Sequence, residues 1–148
     1  MLLLDTNVIS ELMRVEPAAT VLDWFGIQDP ANLFISAVTE AELRAGVAFL
    51  PNGQRRDKLQ SALEGMIAED FPGRVLPFDS RAARAYADIA ALRRNAGRPI
   101  FEADCQIAAI ARAAGATVVT RNTKDFDGCG VELINPWIGT SRLPVGEP

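Results

Sequence analysis

Histidine is absent from the 148 residues of the sequence, and this absence excludes more chemistry than any other feature of the composition. Catalytic triads of serine, histidine and aspartate, nucleophiles activated by histidine, and zinc sites built on imidazole all require that side chain. Any reaction that this chain catalyses must therefore use carboxylates, hydroxyls, amines or a metal ion bound through oxygen.

Cysteine and long apolar runs are also scarce. The two cysteines, Cys105 and Cys129, form no Cys-x-x-Cys pair, which favours two free, buried thiols in a reducing compartment over a disulfide. The apolar run at Leu2-Leu3-Leu4 meets a charge at once and is too short for a signal peptide or a membrane span. We therefore expect a soluble, cytoplasmic protein with no membrane contact.

The chain has no surplus of positive charge. It carries 15 Lys and Arg against 19 Asp and Glu, for a net charge of −4, whereas general electrostatic binders of nucleic acid are basic. A nucleic-acid substrate would have to be held by a local basic patch or by bound cations. With 49% hydrophobic residues, the chain can nevertheless build the core of one globular domain.

Short apolar segments that alternate with helical patterns predict an α/β fold. Strands are predicted at residues 2–4, 33–35, 74–77, 117–120 and, as the last one, 131–134. Helical spacing runs through residues 8–13, 18–25, 39–50, 55–69, 79–95 and 102–114. This alternation predicts a three-layer α/β/α sandwich with a short, mostly parallel sheet. We expect one domain over residues 1–138 and a frayed, Gly- and Pro-rich tail over 139–148.

Two acidic residues follow predicted strands. Asp5 comes directly after the first strand, and Asp125 lies in the loop beyond the strand that ends at Thr120. The functional cleft of an open α/β sheet lies beyond the carboxyl ends of its strands. Taken alone, Asp125 is better explained as an ordinary loop residue. Asp5 is harder to explain in this way, because it directly follows a buried strand with no solvated segment between them.

A third acidic residue, Asp104, lies on a predicted helix and shares one face with Ile107, Ala108 and Ala111. A carboxylate on an apolar stripe is costly unless it is paired or binds a metal ion. The alternative is a favourable interaction of the Asp104 charge with the helix dipole. This would explain why an acid lies in the first helical turn, but not why it lies on the apolar face. The pattern favours a functional carboxylate.

A fourth acidic residue, Glu42, has two interpretations of equal weight. In the first, Thr39 begins a capping box, and Glu42 bonds back to the backbone of that residue. In the second, Glu42 is a functional carboxylate on a face shared with Ala45, Gly46 and Phe49, a surface of small residues that packs closely on another element.

Four carboxylates that converge at one edge of a sheet would repel one another and stay ionised only with cations among them. Oxygen ligands without histidine or thiolate suit Mg²⁺ or Mn²⁺ better than zinc. Such an ion activates water and neutralises phosphate charge during in-line attack. The four acids thus predict a metal-dependent nuclease.

Four segments together resemble the PIN-domain family, and most closely its VapC branch, the ribonuclease toxins of bacterial toxin–antitoxin pairs. They are LLLDTNVISELMR, SAVTEAELRAG, FEADCQIAAIA and TRNTKDFDGCGVELINPW, spread from residue 2 to residue 137. The resemblance implies a Mg²⁺- or Mn²⁺-dependent endoribonuclease that cleaves RNA. It also implies a homodimer, and inhibition by a small antitoxin protein encoded beside it.

Residue by residue, the resemblance implies that Asp5, Glu42 and Asp104 are the acids of the first three motifs. It also implies that the metal ion is bound chiefly by the first and third of these acids, Asp5 and Asp104.

The fourth motif departs from the family pattern. Some relatives carry Asp directly after Thr-Arg, where this chain has Asn122. The fourth site residue is therefore either Asp125 or Asn122, whose amide oxygen could contact a metal-bound water. Thr6 and Asn7 would add polar contacts beside Asp5, or would only cap the helix that follows.

Arginines are the candidate phosphate contacts. Arg14, Arg44 and Arg121 are candidates for binding phosphate or the antitoxin, whereas Arg55-Arg56 and Arg93-Arg94 are expected to be solvated helix charges.

Two other functions stay open. The first is a phosphate-transfer enzyme that uses Asp5 as its nucleophile, although Asn7 stands where such enzymes usually carry a second aspartate. The second is a non-catalytic binding protein with the PIN fold.

Overall fold

Six short strands form one sheet in the part of the chain that the computed structural model describes, residues 1–138 and the backbone of 142–143. The strands are β1 (Leu2–Leu4), β2 (Leu33–Ser36), β3 (Val75–Leu76), β4 (Thr117–Val119), β5 (Leu133–Ile134) and β6 (Arg142–Leu143). The helices are α1 (Thr6–Leu12), α2 (Ala19–Gly26), α3 (Ala37–Ala48), α4 (Gln54–Asp70), α5 (Ser80–Asn95) and α6 (Glu102–Ala114). Single 3₁₀ turns cover Pro30–Asn32 and Thr123–Phe126.

The strand order is β3-β2-β1-β4-β5-β6, so β1 lies inside the sheet. Its Leu3 pairs in parallel with Phe34 of β2 on one side and with Val118 of β4 on the other. All neighbouring strands are parallel except β6, which is antiparallel to β5. The predicted mostly parallel sheet is confirmed.

Helices cover both faces of this sheet. Successive residues of a strand point to opposite faces, and Leu3 and Leu4, both fully buried, enter different apolar clusters. Leu3 packs in the cluster that contains Ile89 of α5 and Ile107 of α6. Leu4 packs in the cluster formed with α1, α3 and α4. These two clusters confirm the three-layer α/β/α architecture.

The end of the sheet differs from the prediction. The strand that ends at Ile134 is not the last, because Arg142–Leu143 adds β6 as an antiparallel edge strand. A two-residue edge strand carries no hydrophobic periodicity by which a sequence could reveal it. The remaining residues of the predicted frayed tail, 139–141 and 144–148, lie outside the described residues.

The start of α3 also differs. Ser36, the last residue of β2, is the N-cap, and its hydroxyl accepts a hydrogen bond from the backbone N of Thr39 at 3.0 Å. Thr39 therefore lies within the first turn of the helix, and of the two interpretations of Glu42 the capping box with Thr39 is wrong. The strand leads directly into the helix, so the earlier of the two hydroxyl residues caps it.

Other predicted helix ends are confirmed. Asp79 caps α5 through a 3.0 Å bond from the backbone N of Ala82. Gly115 closes α6 with φ of 68°, a left-handed conformation that favours glycine. Within the described residues, none of the helices combines the length and the apolar character needed to cross a membrane.

Candidate active site

The site is built at the carboxyl end of β1, where Asp5 follows the strand and is 5% exposed. Its Oδ1 accepts a hydrogen bond from the backbone N of Thr6 at 2.8 Å. Its Oδ2 accepts from Thr120 Oγ1 at 2.7 Å and from Asn7 Nδ2 at 3.2 Å. These donors are neutral, so they fix the orientation of the carboxylate and stabilise its charge only in part.

Burial is the main cause that raises the pKa of Asp5. The hydrogen bonds from Thr120 and Thr6 oppose this effect, while the negative charges of Glu42 and Asp125 add to it. The protein therefore holds a poorly solvated carboxylate close to two others.

Asp104 lies in the first turn of α6, with its carboxylate partly buried. The face that it shares with Ile107, Ala108 and Ala111 is buried as predicted, since these residues are 1%, 0% and 0% exposed. The N-cap residue of α6 is Phe101, so the Asp104 carboxylate does not cap the helix. No salt bridge to it exists among the described residues.

The pKa of Asp104 is raised to about 6. Desolvation is the largest cause, followed by the negative charges of Asp5, Asp125 and Glu42, and Arg93 acts in the opposite direction. The helix dipole alone would have lowered this pKa. The mutual electrostatic effects show that the structure brings the four predicted acids together.

Glu42 is exposed and is tied to α1 rather than to the start of its own helix. Its Oε1 accepts a hydrogen bond from Thr6 Oγ1 at 2.7 Å, and Thr6 Oγ1 also lies 3.1 Å from Oγ1 of Thr39. The expectation of a closely packed face around Glu42 is wrong within the described chain. A Cβ added at Gly46 would meet no atom within 4 Å, and the neighbouring Phe49 is 85% exposed.

Thr120 connects three parts of the site, although the sequence does not identify it as a site residue. It is fully buried at the end of β4. It donates to Asp5, and its Oγ1 accepts from Asn7 Nδ2 at 3.3 Å and from the backbone N of Asn122 at 3.1 Å. A polar residue at the end of a strand is the available signal, but its meaning depends on β4 lying beside β1.

Asp125 lies partly buried in the 3₁₀ turn Thr123–Phe126, where its charge acts on Asp5 and Asp104. Asn122 is exposed and caps nothing with its side chain. Thr6 and Asn7 do not cap α1 either, because its N-cap is Asp5. Their side chains bond to Glu42 and to Asp5, respectively.

The candidate arginines have different surroundings. Arg44 is paired with Glu40 at 2.7 Å and with Glu64. Arg121 lies over the ring of Trp137, 5.1 Å from its centroid.

Arg93 is 7% exposed, so its expected solvation is wrong. The last turn of α5 packs against the loop that carries Asp125, and the guanidinium donates hydrogen bonds to backbone carbonyls there. Its neighbour Arg94 is exposed, as predicted. Cys105 and Cys129 are buried and free, also as predicted.

A cleft of about 860 Å³ opens beside the acids. Thr6 and Glu42 belong to its lining, and it continues between α1, α3 and α4. Three cationic side chains, those of Arg14, Arg55 and Lys58, also line it. The cleft therefore places three cationic side chains in the same lining as one of the four acids, Glu42.

The donor set fits a hard divalent cation. All candidate ligands are carboxylates, and the chain has no histidine. Within the described residues, no group of three Cys, Asp or Glu side chains could hold one ion among them. Mg²⁺ does not need such a group, because it is commonly bound by one or two carboxylates and keeps several waters.

The fold and these acids together define a three-layer α/β domain with several carboxylates at the carboxyl edge of a parallel sheet. The family model for the PIN domain matches residues 2–129, and the chain belongs to the PIN-domain family. The resemblance that the sequence motifs indicated is thereby confirmed.

Two curated relatives cover nearly the whole chain. The chain is 49% identical over 137 residues to "VapC ribonuclease Y4jK" of Sinorhizobium fredii, covering 93% of this chain and 98% of that protein. It is 44% identical over 137 residues to "Toxin FitB" of Neisseria gonorrhoeae, covering 93% and 99%. The crystal structure of FitAcB from Neisseria gonorrhoeae is similar with a TM-score of 0.88 and 44% identity, covering 93% of this chain and 99% of that one.

Proposed function

We propose that this chain is a Mg²⁺- or Mn²⁺-dependent endoribonuclease and the toxin of a toxin–antitoxin pair. The observation that carries the proposal is the group of four mutually repelling carboxylates, which includes a buried Asp5 and an Asp104 whose pKa is raised to about 6. The names of the relatives, a ribonuclease and a toxin, support this assignment.

In this proposal Asp5 and Asp104 bind the cation. When bound, the ion would act as a Lewis acid, which neutralises phosphate charge and lowers the pKa of a water molecule. Asp125 adds negative charge that retains the cation. The exposed carboxylate of Glu42, held by Thr6, accepts a proton from the attacking water.

The neutral side chains around Asp5 keep its carboxylate in one position. Thr120 and Asn7 both bond to its Oδ2, and Asn7 Oδ1 accepts from the backbone N of Arg121 at 3.2 Å. Ligands that are oriented in advance need little reorganisation when a cation binds.

The cleft provides the local basic patch that an acidic protein needs to bind RNA. In the described part of the chain, neither Arg55 nor Lys58 forms a salt bridge, and Arg14, 66% exposed, pairs only with Glu11 at 3.3 Å. These cations contact the phosphates of an RNA strand whose scissile bond lies at the acids.

Of the two other functions, neither has a structural observation in its favour. A phosphate-transfer enzyme would need Asp5 as an exposed nucleophile, but Asp5 is 5% exposed and both its oxygens accept hydrogen bonds. A non-catalytic binding protein is an outcome of the cleavage assay below.

Cleavage of single-stranded RNA tests the proposal. Purified protein should cut the RNA with Mg²⁺ or Mn²⁺, stop in EDTA and recover when excess metal is restored. Asp5→Asn, purified in parallel, should be inactive, because its side chain keeps the size and shape of aspartate but loses the charge. Cleavage that continues in EDTA would overturn the metal mechanism. Equal cleavage by Asp5→Asn would contradict the role of Asp5, unless a catalytically dead preparation of another site variant cleaves equally and so reveals a contaminating nuclease.

We also propose a cytoplasmic homodimer that a small antitoxin protein inhibits. Light scattering on the purified chain tests the dimer. Co-expression with the small reading frame beside the gene tests the antitoxin, which should copurify and suppress cleavage.

A further inference from the structure

Arg93 is a buried cation without a carboxylate in contact. It is 7% exposed and lies in the last turn of α5. Removing a guanidinium from water is costly, and proteins usually offset the cost with a paired anion. Among the described residues no salt bridge reaches Arg93. Its hydrogen bonds to neutral groups must therefore offset the free-energy cost of its burial.

Those hydrogen bonds join two segments that flank the acids. Arg93 Nε donates to the carbonyl of Arg98 at 2.7 Å, in the loop that leads to α6 and Asp104. Its Nη1 donates to the carbonyls of Asp125 and Asp127, both at 2.9 Å, on either side of Phe126. One side chain thus fixes the turn that carries Asp125 relative to the loop before Asp104.

Joining the two segments does not by itself require a buried arginine. An ion pair between Arg98 Nη1 and Asp127 Oδ2, 3.1 Å long, already links them at the surface. Phe126, 1% exposed, anchors the turn in the core. Arg93 differs from these two contacts because it hydrogen-bonds directly to the backbone carbonyl of Asp125.

We infer that Arg93 is a positioning residue of the active site, which holds Asp125 in place through its carbonyl without touching the substrate. This inference rests on the proposed nuclease function. It goes beyond that function by assigning a role to a residue outside the group of acids.

The test is a double-substitution cycle on the full-length protein. Arg93→Met should lower the rate at saturating RNA, and the Mn²⁺ affinity measured by calorimetry, each by about 10- to 100-fold, as is typical for residues that orient ligands. The KM for RNA should hardly change. In an Asp125→Asn background, which keeps the carbonyl but not the charge, Arg93→Met should cause no further loss of either quantity.

Equal losses in both backgrounds would mean that Arg93 is merely structural, and wild-type behaviour of Arg93→Met would overturn the inference outright. If Arg93→Met does not fold, Arg93→Lys replaces it in the cycle, because one ammonium group cannot reach all three carbonyls.

Two controls isolate the effect. Arg94→Met removes an exposed neighbouring charge, and Asp127→Asn breaks the surface ion pair while keeping the Asp127 carbonyl. Both should retain nearly wild-type rates. Wild-type protein that neither cleaves RNA nor binds Mn²⁺ would refute the proposed function. An active wild type without the predicted coupling would refute only the role of Arg93.

Discussion

At the scale of single residues, the site combines the carboxylates of Asp5 and Asp104, and neither forms a salt bridge among the described residues. Asp5 is held by neutral donors, whereas Asp104 is desolvated on the apolar face of α6. Burial is the main cause that raises the pKa of both carboxyl groups, and a raised carboxyl pKa is unfavourable for folding at neutral pH. A bound cation would remove this cost, and this is the physical reason for proposing a metal site here.

Glu42→Gln separates chemistry from structure. Glutamine can still accept the hydrogen bond from Thr6 Oγ1, and the position is exposed, so the free energy of unfolding should change by no more than about 0.5 kcal/mol. Cleavage should fall about 100-fold or more if the carboxylate accepts a proton from water. Denaturant titration and a cleavage time course measure the two effects. A variant that cleaves normally would restrict Glu42 to a structural role.

Asp5 and Asp104 could be selected as candidate site residues because local sequence patterns reveal them. Asp5 directly follows a buried strand, and Asp104 interrupts an apolar helical face. Thr120 and Arg93 could not be selected in this way. Thr120 acquires its role from the pairing of β4 with β1, and Arg93 from the packing of α5 against the Asp125 loop. Both depend on contacts between distant segments, which one sequence does not reveal.

At the scale of elements, the 3₁₀ turn Thr123–Phe126 places the two candidates of the fourth motif, Asp125 and Asn122, in different surroundings. The turn brings the charge of Asp125 to Asp5 and Asp104. Asn122 lies just before the turn, exposed, and its backbone N donates to Thr120. We therefore propose that Asp125, and not Asn122, is the fourth acid of the site.

This arrangement predicts an order of effects. Asp125→Asn should reduce cleavage more than Asn122→Ala does, by about tenfold or more, because only the first removes charge from the site. Asn122→Ala leaves the backbone hydrogen bond to Thr120 intact. Rates measured at saturating Mn²⁺ and again at low Mn²⁺ compare the two variants, and the reverse order would make Asn122 the fourth site residue.

Elements with strong periodicity could be predicted to within about two residues, as for α5, α6 and β1. The predicted start of α3 is wrong because two hydroxyl residues, Ser36 and Thr39, compete for the cap, and the local sequence favours both. The edge strand β6 could not be predicted because it contains two residues.

At the scale of the whole molecule, an acidic protein must concentrate its positive charge to bind RNA. Lys58→Ala should weaken RNA binding and reduce the salt dependence of the affinity by about one counterion, because one phosphate contact is lost. Arg84→Ala is the matched control, since Arg84 is exposed on α5, across the sheet from α4. Binding isotherms with inactive Asp5→Asn at several salt concentrations measure both. Equal losses for the two variants would argue against an RNA path along the cleft.

The free energy of unfolding of the metal-free protein should depend on the repulsion among the carboxylates of the site. The folded state raises the pKa of Asp104 from an ordinary value of 3.8 to about 6, so it binds a proton that the unfolded chain has already released. The free energy of unfolding should therefore decrease as pH rises from about 4 to 6. Above that range, Asp104→Asn should stabilise the metal-free protein by about 1 kcal/mol, after allowance for solvent screening of a partly exposed group.

The same substitution should abolish most of the stabilisation that Mg²⁺ gives the wild type, because ligand-linked stability requires binding. Glu102→Gln is the control: Glu102 lies in the same first turn of α6 but is exposed, so its loss weakens only the interaction with the helix dipole. It should leave the response to Mg²⁺ unchanged. Thermal melts of the three proteins within and above this pH range, with and without Mg²⁺, distinguish the two roles. If Asp104→Asn is destabilised and still responds fully to Mg²⁺, Asp104 is a structural residue and the cation binds elsewhere.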